Sequence, residues 1–418
     1  MVNALNISAV APDPALFDLP WDLPLEDWPQ EVVAALPRGI SRHVVRFVKL
    51  SGSVLAVKEI ADYAAKREYD LLKELANLSA PSVAPIAVVS GRRTAKGQPL
   101  DSALLTQHLR FSLPYRALFS YRLRPDMATR LLDALALLIV QMHLLGFYWG
   151  DVSLSNTLFR RDATEFAAYM VDAETGALHT KLSDGQREYD IELARTNVIG
   201  ELMDLEAGSM LEEDLDPVAV GDLLVERYQQ LWRALTEEET ISADARWRLQ
   251  DRINRLNGLG FDVAEMSMQT DPDGTTLHIR PQVVDAGHHS RRLFRLTGLD
   301  VQENQARRLL NDLDTYRVHS DQTDVDESFV AHDWLTHVFE PAVRSVPRDL
   351  RGKLELPQIY HEILEHRWFM SQRESRYVPL EEAVKSYIDT VLTHRRDESE
   401  LILADTLQLP IQDDIQMG

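Results

Sequence analysis

The chain has 418 residues, 45% of them apolar and 26% charged, with a net charge of −22 and no cysteine. That length calls for more than one core. The missing thiols exclude disulfides, thiolate zinc sites and thiol chemistry and fit a reducing, cytoplasmic setting, while the negative charge disfavours nucleic acid, whose affinity comes mainly from Lys and Arg at phosphates. A free nucleotide, held by a few placed groups and a metal, is not excluded by charge.

In chain order, residues 1–34 form an acidic, proline-punctuated lead, "APDPALFDLPWDLPLEDWP", whose Phe17, Trp21 and Trp28 are expected to pack. It lacks the basic start and apolar core of a signal peptide. "HVVRFVKL", "SGS" and "VLAVKEI" read as strand, turn and strand. A helix follows from about Ala61 to Leu78. Two further strands, in "PSVAPIAVVSG" and "DSALLTQHL", flank a polar loop. Helical segments come next, the most apolar over 126–145. Asp133, Gln141 and His143 interrupt that run, so it reads as a buried helix and not a membrane span.

The loop "FYWGDVSLSNTLF" follows, then a strand in "EFAAYMVDAETGALH" that ends at Asp172. Residues 187–235 are helical, with a turn in "LEEDLDP". Beyond them come an amphipathic helix with a Gly stop in "ISADARWRLQDRINRLNGLG", a β-hairpin around a Pro-Asp-Gly turn, and helices to about 396. No internal repeat is visible. The expected fold is α+β: a small β-rich lobe and a helical lobe over 35–235, then an α-rich accessory domain with a hairpin over 236–396. Residues 397–418 read as an acidic, disordered tail.

Certain residues break the apolar pattern in ways that demand a partner. Lys58 shares a strand face with Val54, Ala56 and Ile60, so it must reach water or meet a charge. The small Ala56 beside it leaves room for a flat ligand. Glu68 lies in the stripe Ala61, Ala65, Glu68, Leu72, Leu75, where a carboxylate also needs a cation. Lys58 is the nearest candidate. Arg67 adjoins Glu68, but adjacent helix residues do not face each other. Asp151 and Asn156 can divide two tasks, one accepting a hydroxyl proton and the other holding a hard cation. Asp172 supplies a second hard ligand, and Mg²⁺ takes only one or two protein oxygens.

This set, Lys58, Glu68, "GDVSLSN" and "VDAE", resembles the protein-kinase-like phosphotransferase fold, in its atypical bacterial branch of lipopolysaccharide (Kdo/WaaP-like) and aminoglycoside-type kinases. The resemblance spans about residues 35–235 and includes His143 in "MHLLGFYWGD" and Asp190 in "EYDIELA". The remainder is similar to a bacterial domain family of unknown function found attached to such kinases. The resemblance implies a bilobal kinase-like fold using ATP and Mg²⁺. Lys58, held by Glu68, would orient the phosphates, Asp151 would take the acceptor proton, and Asn156 and Asp172 would hold the metal. "LLTQHL", with Gln107 and Leu109, would stand where the family has its adenine-binding hinge.

The departures from the family are specific. The glycine-rich phosphate loop is missing, and Gly39, Ser41, Arg42 and His43 of "LPRGISRHVV" are the candidates to replace it. Trp149 stands where the family usually has histidine, and Gly150 where many protein kinases have arginine. Glu174 replaces the glycine of the usual triplet and is a further candidate metal ligand. The expected activity is phosphate transfer to a hydroxyl on a small molecule, glycan or protein. The alternatives are a nucleotide-binding switch whose C-terminal domain recruits a protein partner, and transfer of AMP on the same fold.

Three other motifs carry less. "HEILEH", residues 361–366, lacks histidines four apart and reads as a solvated helix. "GHHSRRLFR", residues 287–295, reads as a surface or interdomain salt-bridge cluster. "DPDGTT" lacks the later glutamate of a calcium loop.

Overall fold

The computed structural model describes residues 5–11, 13–34, 43–119, 125–211, 215–242, 247–270, 276–395 and 398. They fall into two compact units, one spanning Met1–Arg160 and Ala168–Glu226, the other Arg161–Ala167 and Arg227–Ser399. The candidate phosphate-loop residues Gly39, Ser41 and Arg42, the Pro-Asp-Gly turn and nearly all of the acidic tail lie outside the described residues.

The first unit opens with a six-stranded sheet in the order β1 (Asn6–Ala9), β5 (Pro85–Ser90), β6 (Ser102–Gln107), β4 (Ser53–Ile60), β3 (Val45–Leu50) and β2 (Val33–Ala34). Every neighbouring pair is antiparallel. The alternation in β4 sorts its residues by face: Leu55 and Val57 enter the core, while Ala56 and Lys58 lie half-buried opposite. That core also holds Leu16, Leu19, Trp21, Leu25 and Trp28, so the proline-rich lead packs as a cover over one face of the sheet. Trp21 and Trp28 meet edge to face at 5.3 Å. Phe17 does not take part and is 70% exposed, because the short 3-10 helix around it turns Leu16 inward instead. The lead is fastened by Arg92, which is buried. It donates to Glu59 Oε1 at 2.7 Å, to the Asp101 carbonyl at 2.8 Å, and to the carbonyls of Trp21 and Leu23.

Helix α1 (Asp62–Asn77) crosses after β4 and buries Ala65, Glu68, Tyr69, Leu72 and Leu75. The stripe read from the sequence holds except at Ala61, which lies exposed just before the helix. The helical part follows: β7 (Ser112–Pro114), α2 (Tyr115–Phe119), α3 (Pro125–Leu144), β8 (Phe147–Tyr148), β9 (Thr157–Asp162), β10 (Glu165–Met170), β11 (Ala177–Leu178), α4 (Asp184–Ala207) and α5 (Pro217–Thr236). By length and composition α3 could cross a membrane, but most of its apolar window is buried, including Leu131, Leu135, Leu138, Ile139 and Met142. The strand β9 was not expected. It forms a three-stranded sheet in the order β10-β9-β7, so the loop carrying Asp151 and Asn156 is pinned at both ends by strands.

The second unit contains a sheet of β12 (Glu239–Ser242), β14 (Thr276–Ala286) and β13 (Phe261–Thr270), in that order, and the helix α6 (Trp247–Gly258). The helices α7 (His288–Thr297), α8 (Glu303–His319), α9 (Glu327–Trp334), α10 (Glu340–Arg344), α11 (Leu356–Glu374) and α12 (Leu380–Thr390) follow. Their core joins Leu309, Leu313, Trp334, Phe339, Tyr360, Ile363 and Tyr387. Two carboxylates tie this core together: half-buried Asp312 accepts from Trp334 Nε1 at 2.9 Å and Tyr360 Oη at 2.7 Å, and buried Glu362 from Tyr387 Oη at 2.6 Å. The "HEILEH" segment is therefore not a solvated helix. Residues Gln358–Leu364 of α11 are buried in this core. The basic cluster of α7 is used inside its own unit: His289 pairs with Glu303 at 2.7 Å and Arg292 with Glu327.

Gly146 precedes β8 at φ +82°, its carbonyl accepts from His179 N–H at 2.9 Å at the end of the β8–β11 pair, and a Cβ there would sit 2.1 Å from the His179 carbonyl oxygen. Gly146→Ala combines a left-handed backbone with a hard overlap. It should destabilise the chain by about 2–4 kcal/mol, read as a lower midpoint in urea unfolding. An unchanged midpoint would show that the turn adapts freely.

Candidate active site

The site is built around one ammonium group. Lys58 Nζ donates to Asp172 Oδ2 at 2.8 Å, Glu68 Oε2 at 3.0 Å and Glu174 Oε2 at 3.4 Å. The Lys58 side chain is 12% exposed and that of Glu68 1%. Burial pulls the Lys58 ammonium down, and the charges of Glu68 and Asp172 more than offset that, so its pKa lies above the usual value. Burial pushes Glu68 up to about 7, helped by the Asp172 charge and opposed by Lys58. Asp172 is also penalised by burial, but Lys58 outweighs this and holds it below the ordinary carboxylate range.

The carboxylate oxygens of Glu68, Asp172 and Glu174 lie within 4.8 Å of one another. This donor set is all hard oxygen, the type that suits Mg²⁺. Glu174 also meets His43 Nε2 at 2.9 Å, so it is held between two basic groups. The backbone braces the acidic segment: Glu174 N–H donates to Asp172 Oδ1 at 2.9 Å and Ala173 N–H to Glu68 Oε1 at 3.3 Å. Arg67, set aside as a partner for Glu68, reaches past it to the carbonyls of Glu174, at 2.6 Å, and Gly176.

The loop with Asp151 and Asn156 approaches from α3. Asn156 Nδ2 donates to the Asp151 carbonyl at 3.0 Å and to Asp151 Oδ2 at 3.1 Å, which orients the carboxylate. Val171 N–H donates to the Asn156 carbonyl at 3.1 Å, tying this loop to the segment before Asp172. Trp149, the departure from the family pattern, is 1% exposed, and its indole N–H donates to the Asp172 carbonyl at 3.0 Å. Its ring thus supplies a donor that joins the loop to the metal-binding candidate.

One face of α4 splints the loop. Asp190 accepts the N–H of Trp149 at 2.9 Å and of Gly150 at 2.8 Å, with His143 Nε2 at 3.1 Å. Burial holds His143 below its usual pKa, and a neutral ring donates from Nε2 to a carboxylate that can only accept. Seven residues on, Asn197 Nδ2 donates to the Val152 carbonyl at 2.9 Å. Four further on, Glu201 accepts from Leu154 N–H at 2.7 Å and Ser155 N–H at 3.0 Å. The sequence reading missed Asn197 and Glu201. Their signal was a polar residue recurring every seven and four positions beside the buried Ala194, Val198 and Leu202.

Of the hinge candidates, Gln107 spends its N–H on the Ala84 carbonyl at 2.8 Å and its side-chain amide on the Val54 carbonyl at 3.2 Å. His108 N–H also goes to Val54, at 3.0 Å. Burial, with Arg110 nearby, pushes the His108 ring down to about 4, so it is neutral. Leu109 follows, half-buried. Lys58, Glu68 and Asp172 are thus brought together, Asp151 and Asn156 form a second linked pair, and Gln107 and Leu109 lie at the end of β6.

Asp190→Asn keeps the shape of the splint but offers one acceptor oxygen to two N–H groups. A shift of the loop by about 1 Å costs on the order of 10²-fold in rate. Turnover should fall by about that factor while nucleotide binding stays within a few-fold. Loss of both together would assign Asp190 to folding alone.

Residues 45–199 match the lipopolysaccharide kinase (Kdo/WaaP) family, and residues 230–392 match a domain of unknown function, DUF4032. No curated protein matches the chain. Among solved structures it is similar to one described as WaaP in complex with acyl carrier protein, with 14% identity and a TM-score of 0.33 over 54% of this chain and 89% of that one. A likeness of that size says nothing of activity or partners. Within an α+β fold, residues 45–199 are thus similar to the lipopolysaccharide kinase (Kdo/WaaP) family and residues 230–392 to DUF4032.

Proposed function

We propose that the first unit is an ATP- and Mg²⁺-dependent phosphotransferase acting on a hydroxyl group. The observation that carries this is the convergence of Lys58, Glu68 and Asp172 beside a loop in which Asn156 orients Asp151. Lys58 would leave Asp172 for the α- and β-phosphates and keep Glu68 as its anchor. Asn156 and Asp172, with Glu174 as a third donor, would hold Mg²⁺, whose bound charge neutralises the phosphates. Adenine would lie at Leu109. Asp151 would receive the acceptor proton as the hydroxyl oxygen bonds to the γ-phosphorus and the bond from that phosphorus to the bridging oxygen of ADP breaks. Most of the catalysis would be positioning and charge neutralisation. The family's name directs the acceptor search first to sugar hydroxyls of lipopolysaccharide-type glycans.

A second reading is a nucleotide-binding switch. Glu174 favours it, because this third carboxylate competes with phosphate for Lys58. Turnover with ATP labelled at the γ- or the α-phosphate separates the readings: γ-label on the acceptor means a kinase, α-label means AMP transfer, and binding without either means a switch.

Asp151→Ala should lower turnover by about 10²–10⁴-fold and leave ATP binding within a few-fold, measured by ADP release and calorimetry. Wild-type turnover in that variant would remove Asp151 from the mechanism. Asp172→Ala should abolish the part of the ATP-induced rise in thermal stability that depends on Mg²⁺. A rise that stays Mg²⁺-dependent would place the cation on other ligands.

A further inference from the structure

The second unit contains a pocket of about 580 Å³ that the kinase reading does not use. Its volume falls in the range of small-ligand sites. One wall is α8, through Asn304, Arg307, Arg308 and Asn311, and the other is α11, through His361, Glu365, Trp368 and Phe369. Both sets recur every three or four residues, so each helix turns one face to the cavity. All of these residues belong to the second unit.

Two features of the lining point to a ligand. His361 is 4% exposed, yet neither ring nitrogen has a hydrogen-bond partner among the described residues, and Arg308 Nε is buried in the same condition. Every nearby buried carboxylate of this core is satisfied, as Asp162 shows by accepting from Asn304 and Gln305 N–H. Unmet polar atoms in such a core are exceptions that need a cause. The second feature is the aromatic pair Trp368 and Phe369, 55% and 39% exposed, with rings edge to face at 4.7 Å. Large rings left in water beside a cavity mark a binding surface.

Charge selects the ligand. Arg307 and Arg308 put two fixed cations into the wall of a pocket in a chain of net charge −22. Glu365 is the opposing charge, and its Oε2 lies 3.5 Å from His361 Nε2. Arg307 spends one nitrogen on the Gly258 carbonyl at 3.0 Å, which braces the guanidinium. Guanidinium groups suit phosphate oxygens in both charge and fork geometry. We propose that this pocket binds a small phosphate monoester attached to a planar ring, with Arg308 and His361 taking the phosphate and Trp368 and Phe369 the ring.

The test is calorimetric titration of the full-length chain with phenyl phosphate and, separately, inorganic phosphate. Phenyl phosphate should bind more tightly than phosphate. Arg308→Gln should weaken it at least tenfold, and Trp368→Ala should remove its advantage over phosphate. Lys58→Met, at the separate nucleotide site, should leave both titrations unchanged. Circular dichroism establishes that each variant is folded; should Arg308→Gln fail to fold, Trp368→Ala alone decides. No binding by the wild type, binding indifferent to the pocket variants, or binding lost in Lys58→Met would each overturn the proposal. None of these outcomes depends on whether the first unit transfers phosphate.

Discussion

The ammonium of Lys58, placed between the carboxylates of Glu68 and Asp172, is the interaction on which the first unit depends. A buried glutamate is costly without a cation, and a lysine on the inner half of a strand is costly without an anion. Each offsets part of the other's penalty. Because they come from β4, α1 and the segment after β10, satisfying them fixes three parts of the chain at one point. Trp149 and Asp190 extend that point to the loop and to α4. Removing Lys58 would leave the buried Glu68 beside the charges of Asp172 and Glu174 with no ammonium between them, the costly way to break such a cluster.

The parts of this site visible in the sequence were those that broke a pattern. Lys58 and Glu68 stood out because a charge interrupts an apolar period, and the period itself predicts which way each side chain points. Asp151, Asn156 and Asp172 stood out by spacing after a buried helix and a strand. Asn197 and Glu201 were not visible in the same way. Polar residues on a helix are ordinary, and only the loop lying against α4 shows that these two hold its backbone. Arg67 escaped because its partners are backbone carbonyls more than a hundred residues away, which no local pattern encodes. The β9 strand escaped because its apolar residues were read as the end of a loop.

The lead and the accessory unit teach a related lesson about burial. Phe17 and Trp21 look equally apolar, yet the turn geometry of the lead sends Leu16 and Trp21 inward and Phe17 out. The "HEILEH" helix looks polar enough for the surface, yet it lies in the core because Tyr387 and Gln358 supply partners for Glu362. A polar residue can be interior wherever its hydrogen bonds are met. His361 and Arg308 depart from that rule on the wall of a pocket, where a ligand can meet them.

The most direct measurement of the central claim is a structure of the chain with Mg²⁺ and a non-hydrolysable ATP analogue. The account predicts Lys58 on the α- and β-phosphates with Glu68 still bound to it, the cation on Asn156 and Asp172, and the γ-phosphate facing Asp151. A nucleotide bound away from Lys58, or a γ-phosphate turned from Asp151, would contradict it.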